Sequence, residues 1–382
     1  MVNRLSTQSE EHAPHSRVTN AQSTDDALTM KRNTMPEATT TRPARVTLRH
    51  VAERVGLTPA AVSMALSGSS RISEKTKVAV REAAAELGYV PSSAGRALRR
   101  QQSGAIALIV PNTTHHVFGH LYFMHVLTGV ASVANGQDAQ LLVSTNADEA
   151  DGITAYERVL RSRSADGAIV TSAAIGDPNV ERLTTSGLPV VLIGRFPEFP
   201  AAPSVWIDDV ASSRAITEHL LQVHGRRRLV HVTGPLDHQT AVDRREGFLA
   251  AVRAARIEHD CLMVEGDFSE QSGTDAADAI RDWHADGVVF ANDDMAFGGM
   301  LALRVAGVDI PGQVSVVGFD DFGLARSTTP GITTVHVPAE SIAETAAHLL
   351  FALISGGVAP VAPTPEPELR IRESCGCRPA PS

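Results

Sequence analysis

The chain is predicted to be an α/β protein with a small helical unit at its N-terminal end and two doubly wound subdomains behind it. Three observations predict this. The segment Val46–Gly68, VTLRHVAERVGLTPAAVSMALSG, has the pattern of two short helices around a tight turn. From Gly104 onward, short β-branched runs alternate with helical stretches. Charge is also divided unevenly: residues 42–100 hold eleven Lys/Arg and four Asp/Glu, a net of +7, so the remainder carries −16 of the overall −9.

In the first segment, Leu48, Val51, Ala52 and Val55 repeat at i, i+3, i+4 and i+7, one face of a helix. Thr47 stands at the N-cap position, and Gly56 supplies the left-handed residue that closes a helix. Thr58 caps a second helix, and Pro59 takes its first turn, where a missing N–H costs nothing. Val62, Ala65 and Leu66 give it a small apolar face. Two helices this short bury little alone. A helix-turn-helix that seats its second helix in a DNA major groove accounts for both size and turn; an ordinary helical hairpin is the alternative. A third helix starts at Ser73, with Val80, Ala83, Ala84 and Leu87 on one face, and ends at Gly88. A basic segment on an acidic body suits a chain that meets phosphate at one end.

The flanking segments are plainer. Residues 1–44 are polar, with few large apolar side chains, and read as a disordered tail. Met30 and Met35 lie within it, and a translation start at Met35 is one reading. Residues 91–102 have helix-like composition but only Ala97 and Leu98 to bury, so they are a linker or a helix that forms against a partner.

The runs GAIALIVP, AQLLVST, GAIVT, PVVLIG, LVHVTG, GVVFAND and VSVVGFDD do not alternate, which is the mark of parallel strands covered on both faces. They are too many for one modest domain. Two subdomains facing across a cleft fit better, with Asn292, Asp293, Asp320 and Asp321 at strand carboxyl ends, where open α/β sheets bind ligands.

Composition narrows the class further. At 43% hydrophobic and 20% charged the chain is ordinary for a globular protein. No apolar stretch reaches membrane-spanning length, and the polar N-terminus has no secretory h-region, so a cytoplasmic protein is expected. Three cysteines point to a reducing compartment. Cys375-x-Cys377 lacks clustered His or Cys partners in the sequence, so two free thiols in a tail of residues 375–382 are expected, and neither a metal nor a cofactor.

Taken in order, VTLRHVAERVGLTPAAVSMALSG, TKVAVREAAAELGYVP, ALRR, VHVTGPLDHQTAVDRREGF, EGDFSEQSG, VVFANDDMAFGGMLALRVAGVDIPGQVSVVGFDD, TPGITTVHVP and ELRIRESCG resemble the lactose-repressor (LacI/GalR) family of bacterial transcription regulators over about residues 46–374. The resemblance implies a three-helix headpiece at 45–90, a hinge helix at 91–102, and a periplasmic-binding-protein-like core of two Rossmann-like subdomains at 103–374. It also implies a cytoplasmic, nucleoid-associated repressor that binds a palindromic operator as a homodimer. Family positions that read bases fall on Pro59, Ala60 and Met64. Those that touch phosphate fall on Thr47, Thr58, Ser63, Ser67, Arg71, Ser73, Thr76, Tyr89 and Ser92. The minor-groove leucine falls on Leu98, with Arg96, Arg99 and Arg100 beside it.

Met64 replaces the usual guanine-reading Arg, which leaves more of the specificity to shape and hinge contacts. His50 stands where the family usually has Asp. Effector positions fall on Phe118, Arg195, His238, Thr240, Arg244, Phe268, Asn292 and Asp320, a set suited to a small polar metabolite such as a sugar. The alternatives are an Arg244–Asp320 pair that closes on itself and a Phe268 that is core. His115-His116-Val117-Phe118 replaces the family's Asn-Pro-Phe-Phe; adjacent histidines more often sit exposed than hold a metal. Arg226–Arg228 is read as a structural lead-in to a strand rather than a nucleic-acid patch.

Competing classes are a solute-binding receptor, an effector-independent regulator, and an enzyme. The last lacks a G-x-S-x-G elbow, a P-loop or H-E-x-x-H. No leucine-heptad tail follows Ser374, which argues against a coiled-coil tetramer.

Overall fold

Continuous apolar strands need a helix on each face, and the computed structural model follows that rule. It describes residues 46–89, 102–146, 154–357 and 366–378. Two units are present, Met1–Val90 and Pro91–Ser382.

The first unit contains α1 (Leu48–Val55), α2 (Pro59–Leu66) and α3 (Glu74–Glu86). Their buried faces form one small core of Val51, Ala52, Val62, Ala65, Val80, Ala83 and Ala84. Gly56 closes α1 with φ 67°. Thr58 accepts from the Ala61 N–H at 3.2 Å, and Ser73 accepts from the Thr76 N–H at 3.3 Å. The Nδ1 of His50 accepts the Thr47 N–H at 3.2 Å. The family's missing Asp is thus replaced by a residue that reaches back to the cap, the part a Glu or Gln plays in a capping box.

In the second unit, β1 (Ala105–Thr113), α4 (Thr114–Gly119), α5 (Leu121–Gly136), β2 (Gln140–Asn146), α6 (Ala155–Ser162), β3 (Ala168–Thr171), α7 (Pro178–Thr184), β4 (Val190–Ile193) and β5 (Ser204–Val205) build the first subdomain. Its parallel sheet has the order β2-β1-β3-β4-β5. The second subdomain follows with α8 (Asp209–Gln222), β6 (Leu229–Thr233), α9 (Gln239–Ala255), β7 (Cys261–Glu265), α10 (Glu270–Asp275), α11 (Ala277–Asp282), β8 (Gly287–Phe290), α12 (Asp293–Val305), β9 (Ser315–Val317) and α13 (Leu324–Ser327). Its parallel sheet has the order β7-β6-β8-β9. Every residue of β3, β4, β6, β8 and β9 is buried, which is why those runs show no alternation.

The chain then crosses back. β10 (Thr334–His336) leads to α14 (Ala339–Ile354), which packs against α5, and β11 (Glu368–Arg370) returns antiparallel to β10. Beyond β11 the chain runs on beside β9, where the Val316 N–H donates to the Ser374 carbonyl at 2.9 Å. The expected tail from residue 375 is therefore corrected: Cys375 is fully buried, and Ser315 Oγ donates to its carbonyl at 2.6 Å. Arg226 and Arg228 are structural, as expected. Arg226 reaches Ser315 Oγ at 2.9 Å and the Pro311 carbonyl at 2.7 Å, and Arg228 lies 5.0 Å from the centre of the Trp283 ring.

Candidate functional site

Two sites are candidates, one in each unit. On the helix-turn-helix, Thr47, Thr58, Pro59, Ala60, Ser67, Arg71 and Ser73 are exposed, and Met64, Thr76 and Tyr89 are half-buried. Ser63 is buried beside Val62 and Ala65, so it faces the headpiece core more than solvent. Ser92, Arg96, Leu98, Arg99 and Arg100 lie outside the described residues, as does the hinge helix expected there.

In the second unit a cavity of about 1050 Å³, counting its open mouth, lies between the two sheets. Parallel strands put their loops at one end, and the lining comes from those loops. Thr171 ends β3 and Ser172 follows it, Arg195 follows β4 and Trp206 follows β5. His238 follows β6, Phe268 follows β7, Asn292 follows β8 and Asp320 follows β9. Arg195, His238, Thr240, Arg244, Phe268, Asn292 and Asp320 all line it. Phe118, on α4, does not; it is 56% exposed and turned away. The side chains of His115 and His116 lie outside the described set.

Arg244 organises the cavity floor. It is 6% exposed and donates from Nε to Asp209 at 2.9 Å, with Nη2 3.1 Å from Asp320 Oδ1. A third contact goes to the Ala291 carbonyl, and its guanidinium lies 3.7 Å from the centre of the Phe319 ring. The pairing of Arg244 with Asp320 is thus real, and both still border the cavity. Burial pushes the Asp320 carboxyl up to about 7, with Arg244 opposing. Burial raises Asp209 as well, again against Arg244.

Arg195 grips both Asp243 carboxylate oxygens through its Nε and Nη2, and Gln239 donates to the same carboxylate at 2.7 Å. Asn292 caps α12 by accepting the Met295 N–H at 3.0 Å, and its amide donates to the Phe268 carbonyl at 2.8 Å. Phe268 has φ 69°, and its ring lies over Gly234, where any Cβ would overlap it. Ser172 and Asp320 also hold positive φ, at 57° and 111°. Such backbone costs about 1–3 kcal/mol per residue and survives where neighbours enforce it, often at ligand sites.

The sequence reading missed Asp209, Tyr122, Phe196, Trp206, Asp294 and Phe322. Six aromatic side chains, Tyr122, Phe123, Phe196, Trp206, Phe268 and Phe322, line the cavity, and Tyr122 Oη lies 3.0 Å from Thr171 Oγ1. His120 Nδ1 and Asp294 Oδ2, 3.2 Å apart, link the two subdomains at the rim. Buried carboxylates, a fixed guanidinium and flat aromatic faces together match a neutral ligand with many hydroxyls.

A helix-turn-helix unit and a two-subdomain ligand-binding core define a ligand-controlled DNA-binding protein. The profile described as "Bacterial regulatory proteins, lacI family" matches residues 47–92, and that of a "Periplasmic binding protein-like domain" matches residues 217–375. HTH-type transcriptional regulator CelR of Thermobifida fusca is 33% identical over 343 residues, covering 87% of this chain and 99% of the relative. The solved transcriptional regulator CelR-cellobiose complex is 30% identical with a TM-score of 0.65, over 86% of this chain and 100% of that one. The lac repressor dimer bound to operator and the anti-inducer ONPF has the same fold, with a TM-score of 0.76 at 23% identity over 87% of this chain and 99% of that one. The chain belongs to the lacI family of bacterial regulatory proteins and is a DNA-binding transcriptional regulator rather than an enzyme. No helix among the described residues is long and apolar enough to cross a membrane.

Proposed function

We propose that this regulator is a cytoplasmic, nucleoid-associated repressor that binds a palindromic operator as a homodimer and is controlled by a sugar in the core cavity. The observation that carries the sugar reading is the lining itself. Asp209, Arg244 and Asp320 form a fixed polar floor, and Tyr122, Trp206, Phe268 and Phe322 offer faces on which a sugar ring stacks. The relative solved with cellobiose supports a glycoside of that size as the first probe. On the DNA side, the exposed N-terminal turn of α2 carries Thr58, Pro59 and Ala60, and the proposed minor-groove wedge is Leu98.

Closure on the ligand moves one subdomain against the other and changes the spacing of the two headpieces in the dimer. A ligand shifts DNA affinity only by as much as it prefers one core conformation, about 1–3 kcal/mol of coupling. The test is thermal melting against cellobiose and a panel of mono- and disaccharides. A ligand that binds the folded state alone raises the midpoint with its concentration. Asp320→Asn is expected to remove that shift, because it replaces one acceptor on the cavity floor with a donor. A chain whose midpoint no member of the panel moves would overturn the sugar proposal.

A further inference from the structure

His219 near the end of α8, His224 in the loop before β6, and Cys375 and Cys377 after β11 converge at one point, with their four donor atoms all within 4.8 Å of one another. This corrects the expectation that no His or Cys partners gather at the two thiols. We propose that these four side chains are a structural zinc site of the Cys2His2 type, fastening the C-terminal end of the chain to the second subdomain.

The distances carry the proposal. A tetrahedral zinc with bonds of about 2.05 Å to nitrogen and about 2.3 Å to sulfur holds its ligands roughly 3.3 Å apart for N···N and roughly 3.5 Å for N···S. Here the two Nε2 atoms are 3.3 Å apart. Cys375 Sγ lies 3.4 Å from His219 Nε2, and Cys377 Sγ lies 3.6 Å from His219 Nε2 and 3.4 Å from His224 Nε2. Those four distances match four of the six edges of such a tetrahedron, and the other two pairs lie within 4.8 Å.

The surroundings suit a metal. The Cys377 N–H donates to the Cys375 sulfur at 3.5 Å, and the Thr333 hydroxyl lies 3.1 Å from that sulfur, the outer contacts that steady a bound thiolate. Gly376 is what lets a one-residue spacer work. Its φ is 109°, and a Cβ there would press on the His224 ring at 3.2 Å. The pair His219–His224 has the H-x4-H spacing common in zinc sites. Two thiolates balance the charge of the dication, so a half-buried site carries no net charge, and binding releases two thiol protons to solvent. Four protein ligands leave no open position, which makes the site structural rather than catalytic. It stands at the amino end of the second sheet, where Ser315 begins β9, opposite the end that forms the cavity.

The test uses the full-length chain without an affinity tag, reduced, incubated with zinc chloride, desalted and assayed for metal by mass spectrometry. One zinc per chain is expected, falling to background in Cys377→Ser and in His224→Ala. These two positions are chosen over the fully buried Cys375 so that the variants fold, which their circular dichroism checks. Cobalt(II) chloride in place of zinc should give a thiolate charge-transfer band and tetrahedral visible bands, both lost in Cys377→Ser. EDTA should lower the wild-type melting midpoint and leave the variants unmoved. A folded wild-type chain that desalts free of zinc, zinc retained equally by both folded variants, or a Cys375–Cys377 disulfide in zinc-treated protein would overturn the site.

Discussion

Arg244→Ala is expected to remove about 3–5 kcal/mol of core stability, the range for stripping one partner from a buried ion pair. The variant leaves Asp209 and Asp320 facing each other in the cavity floor with their shared cation gone. Burial already raises both carboxyls against the pull of Arg244, so at neutral pH the variant must either protonate them or admit water. Lysine should not rescue it, because one ammonium cannot span Asp209, Asp320 and the Ala291 carbonyl as the planar fork does. The double variant Arg244→Met with Asp209→Asn should recover part of the loss, since neighbours in one network are not additive. Urea unfolding monitored by circular dichroism decides it; a loss below about 1 kcal/mol, the value of an exposed pair, would mean the network is solvated.

The second large effect is the cost in mild acid of keeping His231 neutral, a loss set against the gain that the raised carboxyls of Asp209 and Asp320 give over the same range. This side chain in β6 is fully buried, stacks on Phe248 at 4.9 Å, and has Nδ1 2.8 Å from the Val289 carbonyl. Its Nε2 has no hydrogen-bond partner among the described residues. Burial pushes its pKa down from 6.5 to about 4, so the folded chain keeps it neutral where the unfolded chain takes up a proton. At this site the unfolded state therefore binds more protons between those two values, and the histidine's contribution to stability falls as pH drops through that window. The contribution lost between pH 7.5 and pH 5 is about 2 kcal/mol, at 1.36 kcal/mol per unit. His231→Gln keeps a donor for the Val289 carbonyl and removes the titration, so its stability relative to wild type should rise by about 2 kcal/mol from pH 7.5 to pH 5, read by urea unfolding at both. Equal acid sensitivity in variant and wild type would place the effect on other groups.

The sequence was most legible where one face or one cap decided the structure. The headpiece helices follow from Thr47, Gly56, Thr58 and Ser73, each a local instruction. The buried strands follow from runs with no polar residue to face water. The edge strands were harder. β7 has a mixed burial pattern that its sequence, Cys-Leu-Met-Val-Glu, does not announce, and β5 is two residues long. In the cavity, the residues ending strands β7 to β9 were readable, because topology sends those ends to one place. Trp206, Asp209 and Phe322 were not, since an aromatic in a connecting loop or an acid at the start of a helix looks the same in sequence whether it faces solvent, core or ligand. Phe118 was misplaced because position in a family pattern does not say which way a short helix turns. The four zinc-ligand candidates escaped for a related reason: Cys377 and His224 stand 153 positions apart and meet only after the last strand has crossed back.

The account rests on a headpiece that reads a particular duplex and a core that controls it. The most direct measurement is a titration of the full-length chain against two duplexes at physiological salt. One is recovered by selecting bound fragments of the source genome; the other is a random sequence of equal length. Each is titrated with and without cellobiose, or the sugar that raises the melting midpoint. The selected duplex should be palindromic and bind about a thousandfold or more tighter than the random one. Its affinity should fall steeply with added salt as phosphate contacts release counterions, and it should shift roughly 5- to 150-fold with the sugar. Equal affinity for selected and random duplexes would contradict the account.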